Sequence, residues 1–257
     1  MANLSALVLA PDRISFLLLR LETIQIQVPK PAIRPSDVRW LGLKPSEAVV
    51  MPVASLLVLA ASYLDWWSIS VTEAWGFATG GVCVWLVVRE HMWNWPIGLA
   101  NNVFFFVLFF QSRLYADMGL QVIYFALGAY GWLNWMHGGE KRSVLTISRT
   151  TRTEWAAIFV MIPLCTWGLR AVLVALSGAA PFWDSLTTVV SVAAQYLLCR
   201  KRLENWYLWI AADLVYVPLY LARKLPLTAA LYAVFLLMCL IGVREWSRSW
   251  RSQKAMP

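Results

Sequence analysis

The chain has 257 residues, 60% of them hydrophobic and 14% charged, with 16 Trp and a formal net charge of +8. Soluble domains run at about 45–50% apolar and 25% charged, so the long apolar blocks of this chain exclude a soluble globular protein. Its Lys and Arg lie mostly between the blocks, where they read as a topology signal rather than a nucleic-acid surface.

In chain order, residues 1–47 come first. "MANLSALVLAPDR" lacks a basic n-region, and no small-residue cleavage site follows, so no signal peptide is expected. Ile14, Leu17, Leu18 and Leu21 fall at helical spacing and predict an amphipathic segment lying at the membrane interface. Pro29, Pro31, Pro35 and Pro45 then mark an irregular linker. Apolar runs bounded by charge predict eight transmembrane helices, at 48–67, 71–88, 95–111, 115–136, 155–177, 182–199, 205–222 and 226–244, followed by a basic tail at 245–257. Eighteen Lys and Arg fall on the side of the two termini and three on the other. The positive-inside rule therefore places both termini in the cytoplasm.

A shift of 111 positions superposes the chain on itself. Arg89 meets Arg200, Asn94 meets Asn205, Trp95 meets Trp206, Gly131 meets Gly242 and Trp135 meets Trp246, while Asn102 meets Asp213 and Phe105 meets Tyr216. The predicted fold is thus all-α: two three-helix repeats, 71–136 and 182–244, joined by a linker helix at 155–177, with 48–67 as an additional helix. One intervening crossing makes the repeats parallel, an arrangement that places a substrate site near midplane between them. Duplication for packing alone is the alternative.

Polar residues inside the spans form stripes. Asp184, Thr187 or Thr188, Ser191 and Gln195 follow one helical face. Trp206, Trp209, Asp213, Tyr216 and Tyr220 follow another, and Asn101, Asn102, Gln121 and Tyr124 lie at the same depth in the first repeat. Lipid penalises such faces, so they turn toward other helices or a wet cavity. Asp213 stands apart, because burying a carboxylate at midplane costs several kcal/mol unless it is paired or neutral. It is either hydrogen-bonded internally to Thr or Tyr, or it acts as a cation or hydrogen-bond selector. Aromatic walls with amide and acid groups suit a planar, partly polar, cationic ligand. The candidate substrate-binding residues are Asn101, Asn102, Gln121, Tyr124, Thr188, Gln195, Trp209, Asp213 and Tyr216. Trp135, Trp206 and Trp246, near span ends, read as interfacial anchors.

Four Cys sit inside apolar spans without CxxC spacing, and two His lie at span ends without ligand partners, so neither a disulfide, a metal nor another cofactor is expected. No GxxxxGK[ST] loop and no nucleophile–base pair is present, which argues against ATP hydrolysis and an intramembrane enzyme.

"NWPIGLANNVFFFVLFFQSRLYADMGLQVIYFALGAYGWLNW" and "PFWDSLTTVVSVAAQYLLCRKRLENWYLWIAADLVYVPLYLARKLPLTAALY" resemble the PnuC family of bacterial vitamin transporters over about residues 70–248. The resemblance implies a SWEET-like 3+1+3 fold in the bacterial inner membrane, a homotrimer, and uptake of nicotinamide riboside by facilitated diffusion. It also implies trapping of the substrate by a cytoplasmic kinase. Relatives are assigned to thiamine, riboflavin or deoxynucleosides, and an acid at 213 suits the thiazolium of thiamine as well as the pyridinium of nicotinamide riboside.

Overall fold

The computed structural model describes residues 71–111, 115–176, 180–222 and 226–255, with part of a helical stretch inside 53–64. The amphipathic segment and proline linker expected at 1–47, and most of the additional helix at 48–67, lie outside the described residues. Seven helices are described: α1 (Val71–Val88), α2 (Asn94–Gln111), α3 (Tyr115–His137), α4 (Arg152–Ala175), α5 (Pro181–Cys199), α6 (Asn205–Ala222) and α7 (Pro226–Ala255). There is no strand among the described residues; Ser148 and Arg202 form an isolated bridge. Each expected span from 71 onward is a helix, because long apolar runs satisfy their backbone groups in no other open form within lipid.

Neighbouring helices pack in sequence within α1–α2–α3 and α5–α6–α7, and the two groups meet through α3 against α5 and α1 against α7. Helix α4 packs chiefly on α5. Thr151 caps it in a reciprocal box with Glu154, which settles where the helix starts. Its outward face leaves Phe159, Leu164 and Trp167 exposed. A rise of about 36 Å over its 24 residues is enough to cross a bilayer.

At the Lys/Arg-rich end the local structure recurs 111 positions on. Helix α1 ends with His91 N–H on Leu86 O and Glu90 N–H on Val87 O, and α5 ends with Arg202 N–H on Leu197 O and Lys201 N–H on Leu198 O. This is the Schellman pattern, whose left-handed residue is usually Gly. Here it is Glu90 (φ 54°) and Lys201 (φ 52°). The two side chains form an ion pair at 2.8 Å, which Gly would forgo. Lys201 is buried, donates to Leu145 O at 3.0 Å and lies 4.7 Å from the Trp135 ring centre.

Four tryptophans fill the space behind this pair. Trp95 meets Trp135 edge-on at 5.3 Å and Trp206 meets Trp246 edge-on at 5.5 Å, while Trp135 and Trp246 touch at 5.9 Å. The Trp135 indole N–H donates to Leu198 O at 2.9 Å, and Trp246 donates to Val87 O at 3.0 Å. Each bond crosses from one helix triplet to the other. The reading of Trp135, Trp206 and Trp246 as interfacial anchors is therefore corrected: all three are at most 1% exposed. Gly131 and Gly242 create the room, since a Cβ at either position would collide with Trp95 or Trp206.

Helix α7 does not stop at 244 but runs on to Ala255. Trp246 anchors this extension in the core, Glu245 pairs with Arg89 at 3.5 Å, and Arg149 and Lys254 lie over the Trp250 ring.

The 143–151 segment lies across the α5–α6 turn. Ser148 N–H donates to Lys201 O and Leu203 N–H donates to Ser148 O. Glu154 pairs with Arg200 and Arg202, each at 3.0 Å. Glu204 accepts from Arg149 and from the Thr150 amide and hydroxyl. Burial by itself would raise the Glu204 carboxyl, but the Thr150 hydrogen bonds and the Arg149 guanidinium outweigh it and hold the group below its ordinary 4.5. An acid depressed in the folded state stabilises above its unfolded pKa and loses that contribution as pH falls through the folded value. The melting temperature is therefore expected to stay level from neutral pH to about 5 and to drop in stronger acid. Glu204→Gln should lower it at pH 7 and flatten the acid decline, both readable by scanning fluorimetry.

Candidate functional site

The apolar register of α6 turns Asp213 inward, near the middle of the helix, where it is 4% exposed. The Cys239 thiol of α7 donates to its Oδ2 at 3.6 Å. Among the described residues no Lys, Arg or His pairs with it. One turn further along α6, Tyr216 begins an aromatic stack. Tyr216, Tyr220 and Tyr232 have ring centres 4.6–5.8 Å apart, and Phe235 meets Tyr232 edge-on at 5.8 Å.

Helix α5 supplies the facing hydroxyls. Thr187 and Ser191 are both buried, one turn apart. The Thr187 hydroxyl donates to Trp183 O at 2.8 Å, leaving its lone pairs as acceptors. Tyr216 lies beside Thr187 and Ser191, and Tyr124 of α3 lies beside Ser191 and close to Tyr216. Asp213, Tyr216, Tyr124 and Ser191 all lie near the middles of their helices, so three helices bring polar groups together at one depth.

The other candidates are placed as follows. Asn101 donates to the Thr79 hydroxyl of α1 at 2.8 Å, bridging two helices. Asn102, Gln121 and Gln195 are half-buried on α2, α3 and α5. Trp209 packs against the tryptophan core, one turn from Asp213 toward the basic end. Thr188 lines a different space. A groove of about 1160 Å³ between α3, α4 and α5 takes in Asp184, Thr188 and Tyr196 with Leu120, Ile123, Met161 and Ile162. Its walls are mostly apolar, and Asp213 is not among its lining residues. The acid and its hydroxyl and aromatic neighbours, rather than this groove, have the chemistry to orient a polar ligand.

Thr187, Ser191, Tyr220, Tyr232, Phe235 and Cys239 join the cluster without having been among the candidates. For α7 a signal existed: Tyr232 and Cys239 are seven residues apart, two turns on one face. No such signal separates Thr187 from Thr188, which flank the stripe equally.

The family model described as nicotinamide mononucleotide transporter matches residues 70–248. The nicotinamide riboside transporter PnuC of Escherichia coli is 30% identical over 213 residues, spanning 73% of this chain and 89% of its own length. The riboflavin/roseoflavin transporter RibM of Streptomyces davaonensis is 28% identical over 176 residues, 66% of this chain and 82% of its own. Among solved structures, a crystal structure of the vitamin B3 transporter PnuC superposes with a TM-score of 0.63 at 24% identity, covering 82% of this chain and 94% of that one. The fold is that of the crystal structure, and family and relatives alike are transporters and not enzymes. With a match over most of its length, the chain belongs to the nicotinamide mononucleotide transporter family, as a multi-pass membrane protein of the vitamin-transporter type.

Proposed function

We propose that this protein carries nicotinamide riboside into the cell by facilitated diffusion, binding it at midplane between two parallel helix triplets. The observation that carries this reading is Asp213: an acid 4% exposed, with no basic partner among the described residues, beside an aromatic stack. A buried, unpaired carboxylate is costly, and a pyridinium cation resting against it offsets that cost. Stacking on the Tyr216–Tyr232 group adds a face-on contact of the kind cations favour. Asn101, Asn102, Gln121 and Gln195 supply amides around the same depth.

In this reading both termini face the cytoplasm, the membrane is the bacterial inner membrane and the assembly is a homotrimer. A cytoplasmic kinase then traps the substrate. Phosphorylation adds about −1.5 to −2 charges, and a phosphate approaching Asp213 meets like-charge repulsion. The product therefore no longer fits the carrier, and uptake becomes one-way without ion coupling. The RibM relative supports riboflavin as the alternative cargo, but riboflavin is neutral and leaves the acid uncompensated.

Purified protein in liposomes should equilibrate labelled nicotinamide riboside down its gradient and show counterflow, with no dependence on a proton gradient. Movement of riboflavin or thiamine in its place would replace the substrate; ligand binding without counterflow would make the protein a receptor.

A further inference from the structure

The two triplets share a sequence offset but not their chemistry. At positions 111 apart, Gly76 stands where α5 has Thr187, Gly80 where it has Ser191, and Phe105 where α6 has Tyr216. The contacts follow the same rule. Phe105 covers Gly76 so closely that a Cβ there would strike its ring, and Phe235 lies over Gly80, 3.8 Å from where a Cβ would stand. On the other side Tyr216 engages Thr187 and Ser191, and Tyr124 reaches Ser191. One aromatic residue sits over one small residue four times, twice without a hydroxyl and twice with hydroxyls on both partners.

The midplane lining therefore has a smooth wall and a hydroxyl wall. Asp213 and Cys239 stand with the second, against Asn102 and Gly128 at the matching positions of the first. A wall of aromatic rings over glycine recognises only a flat face. Neighbouring hydroxyls are different, because each has one donor and two acceptor lone pairs and its proton rotates to suit a partner. Such a cluster can turn its protons and lone pairs to vicinal alcohols, and a site built to bond hydroxyls rejects an analogue that lacks them, since its own buried groups are then left unpaired.

We propose that Thr187, Ser191, Tyr124 and Tyr216 form a specificity-determining wall that reads the polyhydroxylated arm of the substrate, ribosyl or ribityl, separately from its ring. This rests on the reading of the midplane as the transport site and narrows it to ligands bearing a sugar-like polyol. Thiamine, with a single alcohol, is disfavoured although its ring is cationic.

Binding to the full-length protein in nanodiscs, followed by titration calorimetry, tests this with two ligand pairs. Nicotinamide riboside is compared with N-methylnicotinamide, the same pyridinium without a sugar, and riboflavin with lumichrome, its ring without the ribityl arm. Wild type should bind one polyol ligand at least about tenfold tighter than its stripped partner. Ser191→Ala, and separately Tyr216→Phe, should erase most of that ratio while the affinity of the stripped ligand stays within about twofold, which also reports that the variant is folded. Preference for riboflavin alone, erased in the variants, would remove nicotinamide riboside as substrate and keep the hydroxyl wall. Unchanged ratios in both variants, equal weakening of polyol and stripped ligand, or no preference for a polyol in wild type would each overturn it.

Discussion

Asp213→Asn is expected to reduce uptake of nicotinamide riboside by about 10- to 150-fold, the equivalent of the roughly 1.5–3 kcal/mol that a hydrogen bond to a charged group contributes. The substitution keeps the shape of the side chain and its ability to accept from Cys239, which lies 3.6 Å away. It removes only the charge. Reduced dihydronicotinamide riboside, neutral and nearly the same size, is the control: its transport should change by less than about threefold, because no cation is involved. The protein itself should melt no lower than wild type, since an unpaired buried carboxylate is a cost to the fold. Parallel losses for the two ligands in a liposome uptake assay would mean that Asp213 holds structure, with the charge irrelevant to recognition.

Gly242→Ala is expected to cause a large loss of stability for a single added methyl. Its new Cβ would stand 2.5 Å from the Trp206 ring, which is rigid, buried and wedged against Trp246. Neither ring can yield, since Trp246 is also tied to Val87 O across the triplets. Overpacking of this kind costs about 1–3 kcal/mol or more, and here it separates the two triplets as well as straining one. Gly131→Ala should behave alike through Trp95. The control is Gly81→Ala, in α1 with no atom within 4 Å of the new methyl. There the better helix propensity of Ala predicts equal or slightly higher stability, by up to about 1 kcal/mol. Thermal melting in detergent distinguishes them; a Gly242→Ala protein as stable as Gly81→Ala would show that the tryptophan packing adapts.

Both predictions depend on features that differ in how far the sequence reveals them. The helices were legible because a bilayer leaves few solutions: a run of about 20 apolar residues between charges is a span. The offset of 111 was legible too, since Trp, Gly and Asn recur with a regularity that leucine-rich composition does not produce. Asp213 announced itself by being an acid in the middle of such a run.

The tryptophans were not legible. Trp135, Trp206 and Trp246 lie near helix ends, where a membrane interface and a buried helix junction ask for the same residue: a large apolar body with one N–H to satisfy. Only the opposing glycines and the carbonyls of Val87 and Leu198, brought over from the other triplet, decide for burial. The extent of α7 has the same origin, because charged residues after 244 read as a tail until Trp246 is seen to hold them in helix.

Thr187 and Thr188 show the limit most plainly. Adjacent residues on a helix differ by about 100° in direction, and both edges of a polar stripe score alike in a linear pattern. The structure turns Thr187 toward Tyr216 and Thr188 into the apolar groove beside α4. By itself, then, the sequence determined which segments form long apolar helices, that a 111-residue offset relates two stretches of the chain, and that one acid lies in the middle of an apolar run. Tertiary structure alone decided which face of each helix meets which neighbour, because that choice is made by side chains hundreds of bonds apart competing for the same space.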